Sequence, residues 1–274
     1  MNRDELRFET LDGSELTYTQ SGTGAPALLF VHGWQGDRSV WREIIEALGD
    51  ERRSIAVDLR GSGESRPAKG PFALERYAAD LHELAQELGI APAVVVGHSM
   101  GAKIALRFAI EYPAETQALV LIAPVAAGNA GFSEKGEAYL RATAGDPAAA
   151  RSWLRKTISS DDEALLDRLG CAAAATPPEA VLEALESWMH TDLEAAAQSV
   201  KVPALVIAPE RDAPEMQERR VAALLPNARY ELLRDCAHYA ILEKPRAIVE
   251  MIEDFIRPFD SARFASSAQD DTAK

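Results

Sequence analysis

Short runs of apolar residues alternate along the chain with segments in which apolar residues recur every three or four positions. The apolar runs show no regular alternation with polar residues, which is typical of strands that are covered on both faces. The segments between them have the periodicity of amphipathic helices. The strands predicted in this way are 27–31, 54–57, 93–96, 118–122, 204–208 and 228–233.

Local signals refine this pattern near the N-terminal side. Residues 6–21 alternate around Asp12-Gly13, which predicts an antiparallel hairpin at one edge of a sheet. Asp37 is placed to cap a helix that ends at Gly49. Further helices are predicted at 75–88, 102–112, 216–225 and 244–256.

Strands that alternate with helices predict an α/β fold with a mostly parallel central sheet and helices on both faces. Residues 126–198 differ, because they are alanine-rich and helix-prone and contain no strand-like run. We interpret them as a cap of three or four helices, inserted into a core formed by residues 1–125 and 199–260. The tail, 261–274, is rich in Ser, Ala and Asp and is expected to be disordered.

Composition narrows the classes of function. The net charge of −14 over 274 residues disfavours binding to nucleic acid or to an anionic membrane. Cys171 and Cys236 stand far apart and outside any metal-binding spacing, so we expect free thiols, no metal site and a reducing compartment. There is no apolar leader and no run of about eighteen apolar residues. These features together predict a cytoplasmic protein.

The segment Gly97-His98-Ser99-Met100-Gly101 lies between a predicted strand and a predicted helix. In that context Gly-x-Ser-x-Gly is typical of a nucleophile elbow, a tight turn that raises a serine hydroxyl above the edge of the sheet. The helix that follows points free backbone N–H groups towards the serine. Ser99 is therefore the predicted nucleophile.

A serine hydroxyl needs a nearby base, and histidine is the usual one because its pKa lies near the working pH. The chain contains five histidines. His82 lies within a helix, His190 ends a helix of the cap, His98 is expected to pack behind the serine, and His32 is expected to shape its own loop. His238 lies directly after the last strand and before the last helix, where ligands of parallel sheets bind, and is the predicted base.

The base in turn needs a carboxylate that fixes its tautomer. Glu210 and Asp212 both follow an inner strand. Asp212 is preferred, since the loop must travel some distance before a short side chain can face the histidine, and Glu210 remains the alternative. Asp58 also follows a strand, but it opens a turn, where an aspartate commonly bonds to its own loop. The order serine, aspartate, histidine is the one that this elbow motif anticipates.

Other groups are expected to contact a substrate. The backbone N–H groups of Met100, directly after the serine, and of Trp34, in the loop after the first inner strand, are predicted to form an oxyanion hole. In the cap, Trp153, Trp188 and Met189 are candidates to face the substrate, although large apolar residues at helical spacing more often pack in a core.

Together these motifs resemble the serine-nucleophile members of the α/β-hydrolase fold family that carry a helical cap, over nearly the whole chain except the tail. Two positions depart from the family pattern, because Ala208 and Ala237 stand where glycine often precedes the acid loop and the histidine. The segments that carry the resemblance are His32-Gly33-Trp34, 58–65, the Ser99 elbow, the Asp212 loop, and Ala237-His238 followed by Glu243-Lys244-Pro245.

The resemblance implies hydrolysis of an ester or lactone of a small, partly apolar acid through an acyl-enzyme. A second possibility that it implies is hydrolysis of a carbon-carbon bond next to a ketone. A third, of another class, is a receptor-like protein that binds a ligand on the same fold. Relatives that dehalogenate or open epoxides use an aspartate nucleophile, so Ser99 argues against both activities. The resemblance implies a small-molecule substrate and no cofactor, and we expect a monomer or homodimer.

Overall fold

The computed structural model describes residues 5–212 and 215–270, and within these ranges eight strands form one sheet in the order β1-β2-β4-β3-β5-β6-β7-β8. Strand β2 runs antiparallel to both of its neighbours, and all other pairs are parallel. The strands are β1 Leu6–Glu9, β2 Glu15–Ser21, β3 Leu28–Val31, β4 Ser54–Val57, β5 Ala93–His98, β6 Thr116–Ile122, β7 Ala204–Pro209 and β8 Ala228–Leu233.

Helices pack on both faces of this sheet, as the sequence predicts. Short 3₁₀ turns at 38–41, 63–65 and 113–115 connect elements of the core. The α-helices are α1 Arg42–Leu48, α2 Leu74–Glu87, α3 Met100–Glu111, α4 Glu134–Arg141, α5 Pro147–Thr157, α6 Glu163–Ala175, α7 Pro178–His190, α8 Glu194–Ala197, α9 Glu215–Leu224, α10 Ala240–Glu243 and α11 Pro245–Asp270.

The two faces of the inner strands bury two separate hydrophobic clusters. In β3, Leu29 and Val31 point into the cluster that contains apolar residues of α2 and α3. Leu28 and Phe30 point into the other cluster, with residues of α1 and α11. Successive side chains of a strand leave it on opposite faces, so a strand covered on both faces must be apolar throughout. This is why the inner strands appear in the sequence as unbroken apolar runs.

Two predictions near the N-terminal side are confirmed. Strands β1 and β2 form an antiparallel hairpin at the sheet edge, with Arg7 opposite Thr17. The Asp37 side chain accepts a hydrogen bond from the Ser39 N–H, but the turn that it caps is a 3₁₀ turn that continues into α1. Gly49 ends α1 with φ of +70°, a conformation that favours glycine.

Five helices, α4 to α8, lie between β6 and β7, where the sequence predicted three or four. One additional boundary falls between α5 and α6, where Asp162 caps the new helix by accepting from the Leu165 N–H. The other additional helix is α8, a single turn of four residues that is too short to show helical periodicity. We call residues 126–198 the helical insertion. Its treatment as a cap domain, with the core boundaries given above, stays a prediction.

The last helix extends into the C-terminal tail. The backbone of 261–270 continues helix α11, and the disorder expected for the tail stays a prediction. Ala, Gln and Arg in this stretch are compatible with helix, so a helix already formed by the preceding residues can propagate through it. Residues 271–274 lie outside the described part of the chain. Among the described residues, no helix is both long and apolar enough to cross a membrane.

A buried lysine joins the helical insertion to the core. Lys103, on α3, is 1% exposed, and its Nζ donates to the carbonyl oxygens of Gly128 and Trp188, each at 2.8 Å. Burial lowers the pKa of Lys103 to about 8, although the negative charges of Asp192 and Glu194 act to raise it. The ammonium group therefore holds two separate segments of the insertion against the helix that begins beside Ser99.

We predict that K103A lowers the free energy of unfolding by roughly 2 to 4 kcal/mol, because two buried carbonyl groups lose their donor. Urea denaturation followed by circular dichroism measures this change. K135A removes an exposed lysine of α4 and serves as the control, with an expected effect within about 0.5 kcal/mol. Equal stability of the two variants would contradict the role assigned to Lys103.

Candidate active site

Ser99 occupies a strained turn between β5 and α3. Its φ of +56° and ψ of −121° lie where non-glycine residues are rarely found, at a cost of about 1 to 3 kcal/mol. Its backbone N–H donates to the Ile122 carbonyl oxygen of β6 at 3.0 Å, which helps to hold the turn. The predicted elbow is therefore present as a backbone geometry.

The flanking glycines are required by close packing of the backbone. A Cβ at Gly97 would lie 2.3 Å from the carbonyl oxygen of Gly101. A Cβ at Gly101 would lie 2.3 Å from the carbonyl oxygen of Val31 in β3. Both distances are far inside van der Waals contact, so any side chain there would separate α3 from the strands. The Gly-x-Ser-x-Gly spacing thus permits α3 to start close to the sheet.

Three predicted residues meet at the carboxyl ends of β5, β7 and β8. The Ser99 Oγ lies 2.8 Å from the His238 Nε2. The His238 Nδ1 lies 2.6 Å from the Asp212 Oδ2. Because a carboxylate only accepts, we assign the ring proton to Nδ1, which leaves Nε2 to accept from the serine hydroxyl. The geometry suits proton transfer from the hydroxyl to the ring.

The surroundings of His238 favour its charged form. Burial acts to lower its pKa, but the Asp212 carboxylate raises it through its charge and its hydrogen bond, and the charge of Glu218 adds to this. The net result is a pKa above the usual value for histidine. A ring that accepts a proton more readily is a stronger base towards the serine hydroxyl.

The alternative carboxylates lie in other interactions. Glu210 accepts from the backbone N–H of Asp235 at 3.0 Å. Asp58 is buried and accepts from the backbone N–H groups of Arg38 at 2.7 Å and of Glu64 at 2.8 Å, in its own loop and a neighbouring turn. Burial raises the pKa of Asp58. Of the three candidate acids, Asp212 is the one that hydrogen-bonds to His238.

The other histidines have structural partners. His98 is buried, and its Nε2 donates to the backbone carbonyl oxygen of His238 at 2.8 Å. Burial lowers the pKa of His98 to about 3, so the ring is neutral. His82 lies 2.8 Å from a Glu115 oxygen, and His190 lies near acidic residues of the insertion. His98 thus holds the backbone of His238, and that it packs behind the serine stays a prediction.

His32 orients the loop that follows β3. Its Nδ1 donates to the Gly33 carbonyl oxygen at 2.8 Å, and the Gly36 N–H donates to the same oxygen at 3.1 Å. The Leu59 N–H donates to the His32 Nε2 at 3.0 Å, which fixes the tautomer. The peptide between Gly33 and Trp34 is trans, so its N–H group points away from its C=O group. The Trp34 N–H therefore faces away from the two groups that donate to the Gly33 carbonyl oxygen. The predicted role of His32 in shaping its loop is confirmed.

The same loop passes directly beside the serine. A Cβ added at Gly33 would lie 3.1 Å from the Cβ of Ser99. Met100 is the first residue of α3, so its N–H has no acceptor within the helix. The Trp34 and Met100 N–H groups thus belong to segments that flank Ser99. That they bind an oxyanion stays a prediction.

A cavity of about 310 Å³ opens onto Ser99 and His238. The Trp34 and Trp188 rings meet edge to face with centroids 6.3 Å apart, and Phe132 and Trp188 do so at 5.9 Å. The predicted candidates Trp153 and Trp188 line this cavity, whereas Met189 is buried in the core. The aromatic residues of the wall are Trp34, Phe132, Trp153, Trp188 and Tyr239.

Phe132 and Glu218 are among the cavity residues that were not foreseen from the sequence. Phe132 lies in the segment before α4, which has no periodic pattern that would assign it a direction. Glu218 lies on α9 and is 1% exposed, although a glutamate on a helix near the surface is normally assigned to solvent. They can be identified only from the structure, in which the helical insertion lies over the ends of β7 and β8.

One group of side chains in the described part of the chain has the composition of a metal site. Ligand atoms of Glu137, Glu186 and His190, on the insertion, lie within 4.8 Å of one another. Arg141 forms ion pairs with both glutamates, so a cation of the protein already offsets one of their two negative charges. The donor set therefore fits a surface ion-pair network better than a metal centre.

Comparisons with known proteins show the family to which this fold belongs. A family profile described as the alpha/beta hydrolase fold matches residues 26–245. A protein of Mycobacterium tuberculosis, named provisionally as a non-heme bromoperoxidase, is 32% identical over 251 aligned residues, which cover 85% of this chain and 94% of that protein. The dihydrolipoyllysine-residue acetyltransferase component of the acetoin cleaving system of Cupriavidus necator is 35% identical over 131 residues. That match covers 47% of this chain and only 35% of the acetyltransferase.

Solved structures are similar over nearly the whole chain. The enol-lactonase of Burkholderia xenovorans has a TM-score of 0.81 at 28% identity, covering 90% of this chain and 98% of the enol-lactonase. A thermophilic esterase of Thermogutta terrifontis also has a TM-score of 0.81, at 26% identity, covering 94% of this chain and 99% of the esterase. With the family profile spanning both halves of the core and the insertion between them, the chain belongs to the α/β-hydrolase fold family.

Proposed function

We propose that the protein is a serine hydrolase that cleaves an ester or lactone of a small, partly apolar acid through an acyl-enzyme. The observation that carries this proposal is the continuous series of hydrogen bonds from Asp212 through His238 to Ser99, at 2.6 and 2.8 Å. A serine hydroxyl with a paired base, on a strained turn, is the arrangement that nucleophilic acyl transfer requires.

In the proposed reaction Ser99 Oγ attacks the carbonyl carbon while His238 Nε2 takes its proton. The imidazolium that forms is stabilised by Asp212, and it then gives the proton to the leaving alcohol or enol oxygen. Water, deprotonated by the same ring, attacks the acyl-enzyme and releases the acid. In a lactone the leaving oxygen and the acid belong to one molecule, so a single hydroxy acid is released.

Negative charge develops on the substrate carbonyl oxygen during both halves of the reaction. We assign its stabilisation to the backbone N–H groups of Met100 and Trp34, which lie on the two segments that flank Ser99. The peptide between Gly33 and Trp34 is held by His32, so its N–H direction is set before the substrate binds. One such donor is worth roughly a hundredfold or more in rate.

The dimensions of the cavity support a small substrate. Its volume of about 310 Å³ corresponds to roughly ten water molecules at their liquid density. Five aromatic residues line it, which suits an acyl or alcohol group with apolar surface. An enol-lactonase and an esterase among the structural relatives support hydrolysis of a lactone or an ester.

Reaction with a fluorophosphonate probe and turnover of p-nitrophenyl acetate test the proposal. We predict covalent labelling of Ser99 and release of p-nitrophenol, with both lost in S99A, because the hydroxyl that pairs with His238 is removed. Hydrolysis that persists in S99A would contradict the proposal. Labelling without turnover on a panel of esters, lactones and diketones would instead favour a ligand-binding protein, and cleavage of the diketones alone would favour carbon-carbon hydrolysis.

The assignment of the acid is tested by D212N. We predict a fall in kcat of roughly two to four orders of magnitude, since an amide cannot hold the required tautomer or stabilise the imidazolium. E210Q is the matched control, and its kcat should change by less than about threefold, because Glu210 bonds to the Asp235 backbone. A larger loss in E210Q than in D212N would show that the acid is wrongly assigned.

The pH dependence follows from the raised pKa of His238. Only the neutral ring accepts a proton, so we expect kcat/KM to rise with pH through a midpoint above the usual histidine value of about 6.5. In D212N the carboxylate charge is absent, and the midpoint of the residual activity should move to lower pH. A profile without an acid limb, or a midpoint unchanged by D212N, would contradict His238 as the base.

A further inference from the structure

The turn that carries the Trp34 N–H contains a strained residue. The turn is closed by a hydrogen bond from the Gly36 N–H to the Gly33 carbonyl oxygen, at 3.1 Å. Gln35 is the third residue of this turn and has φ of +57°. A positive φ at that position is usually met by glycine or asparagine, because a larger side chain crowds its own backbone. The turn therefore depends on an interaction that offsets the strain at Gln35.

The Gln35 side chain forms such an interaction with the helical insertion. Gln35 is 8% exposed, and its Nε2 donates to the Thr143 Oγ1 at 2.8 Å. Thr143 is fully buried behind α4, and its hydroxyl donates to the Leu140 carbonyl oxygen at 2.7 Å. Because that bond uses the hydroxyl proton, the Thr143 oxygen must accept from Gln35, which assigns the amide nitrogen as the donor. The two side chains thus form a directed polar contact in a buried place.

A second side chain of the turn also bonds to the insertion. The Trp34 Nε1 donates to the Val181 carbonyl oxygen of α7 at 2.9 Å. On the opposite side, the His32 Nδ1 donates to the Gly33 carbonyl oxygen at 2.8 Å. The turn is therefore held from the core by His32 and from two separate parts of the insertion by Trp34 and Gln35.

The conformation of Gln35 sets the direction of the Trp34 N–H. If Gln35 moved to a negative φ, the Gly36 N–H would turn away from the Gly33 carbonyl oxygen, which would lose one of its two donors. That carbonyl group and the Trp34 N–H belong to one planar peptide, so a rotation of the first rotates the second. An oxyanion donor acts at about 2.7 to 3.1 Å from the developing charge, and a small rotation takes it out of this range.

We propose that Gln35 is a positioning residue, which couples the helical insertion through Thr143 to the peptide that carries the Trp34 N–H. In this way the packing of the insertion keeps that N–H directed at the oxyanion. The inference rests on the proposed function, in which the Trp34 N–H is assigned to the oxyanion. Gln35 lies outside the described lining of the cavity, so it acts through the backbone and not on the substrate.

Q35A and Q35G separate the conformation of the turn from the packing of the side chain. Both variants lose the bond to Thr143, but glycine adopts a positive φ freely, whereas alanine does not. With p-nitrophenyl acetate we expect kcat to fall about tenfold in Q35A and less than about threefold in Q35G. Q198A, at an exposed glutamine after α8, is the control and should match the wild type. Equal kcat values in Q35A and Q35G would overturn the proposal.

T143V tests the link to the insertion. Valine keeps the shape of threonine and removes the hydroxyl, so Gln35 loses its acceptor. We expect kcat to fall about fivefold or more in T143V, and to stay within about twofold of the wild type in T143S, which keeps the hydroxyl. In the Q35G background T143V should have no further effect, because the residue that it supports is no longer strained. A full effect of T143V in that background would contradict the coupling.

Inhibition by an oxyanion analogue distinguishes positioning from a general loss of structure. Trifluoroacetone adds to a serine hydroxyl and gives a tetrahedral adduct with an oxyanion, whereas tert-butanol forms no adduct. We expect Q35A and T143V to weaken inhibition by trifluoroacetone in proportion to the fall in kcat/KM, and to leave inhibition by tert-butanol unchanged. An equal weakening of both inhibitors would show a disturbed cavity and would overturn the proposal.

Hydrogen exchange at the Gly36 amide separates this inference from the proposed function, because it requires no turnover. We expect this amide, measured by NMR, to exchange about tenfold faster or more in Q35A and T143V, and within about threefold of the wild type in Q35G. Unchanged exchange in Q35A and T143V would overturn the proposal, whatever the activity. If no ester is hydrolysed but the expected pattern of exchange holds, the hydrolase proposal fails and the coupling of the turn to the insertion stands.

Discussion

The structure depends on the close approach of helix α3 to strands β3 and β5 at the turn that carries Ser99. Only glycine fits at positions 97 and 101, since a Cβ at either would lie 2.3 Å from a backbone oxygen. That approach forces Ser99 into a backbone conformation with φ of +56° and exposes its hydroxyl at the end of the sheet. The strain is sustained because strands buried on both faces surround the turn.

The histidines show how the loops around this turn are fixed. His32 sets the peptide that precedes Trp34, and His98 holds the backbone carbonyl of His238. Both rings are buried, and burial lowers the pKa of each, so they stay neutral and can each donate and accept. His238 differs because Asp212 and Glu218 raise its pKa. The charges near each ring therefore distinguish two roles. His32 and His98 hold backbone groups as neutral rings, whereas His238 lies beside carboxylates that strengthen it as a base.

The fold and the meeting of the three candidate residues could be predicted from the sequence because they follow local rules. Buried strands are apolar throughout, and functional side chains follow their carboxyl ends, so Ser99, Asp212 and His238 could be placed before their contacts were known. The wall of the cavity could not be predicted in this way. Phe132 and Glu218 reach the site only through the packing of the insertion and α9, which no periodicity encodes. The one-turn helix α8 was missed because a single turn is too short to show helical periodicity.

The central claim is that Ser99 carries the acyl group between the two halves of the reaction. Intact-protein and peptide mass spectrometry after rapid acid quenching of a p-nitrophenyl acetate reaction tests it most directly. We predict a transient adduct with the mass of one acetyl group on the peptide that contains Ser99, which decays as acetate is released and is absent in S99A. Turnover without any adduct, or an adduct on another residue that forms and decays at the catalytic rate, would contradict the account.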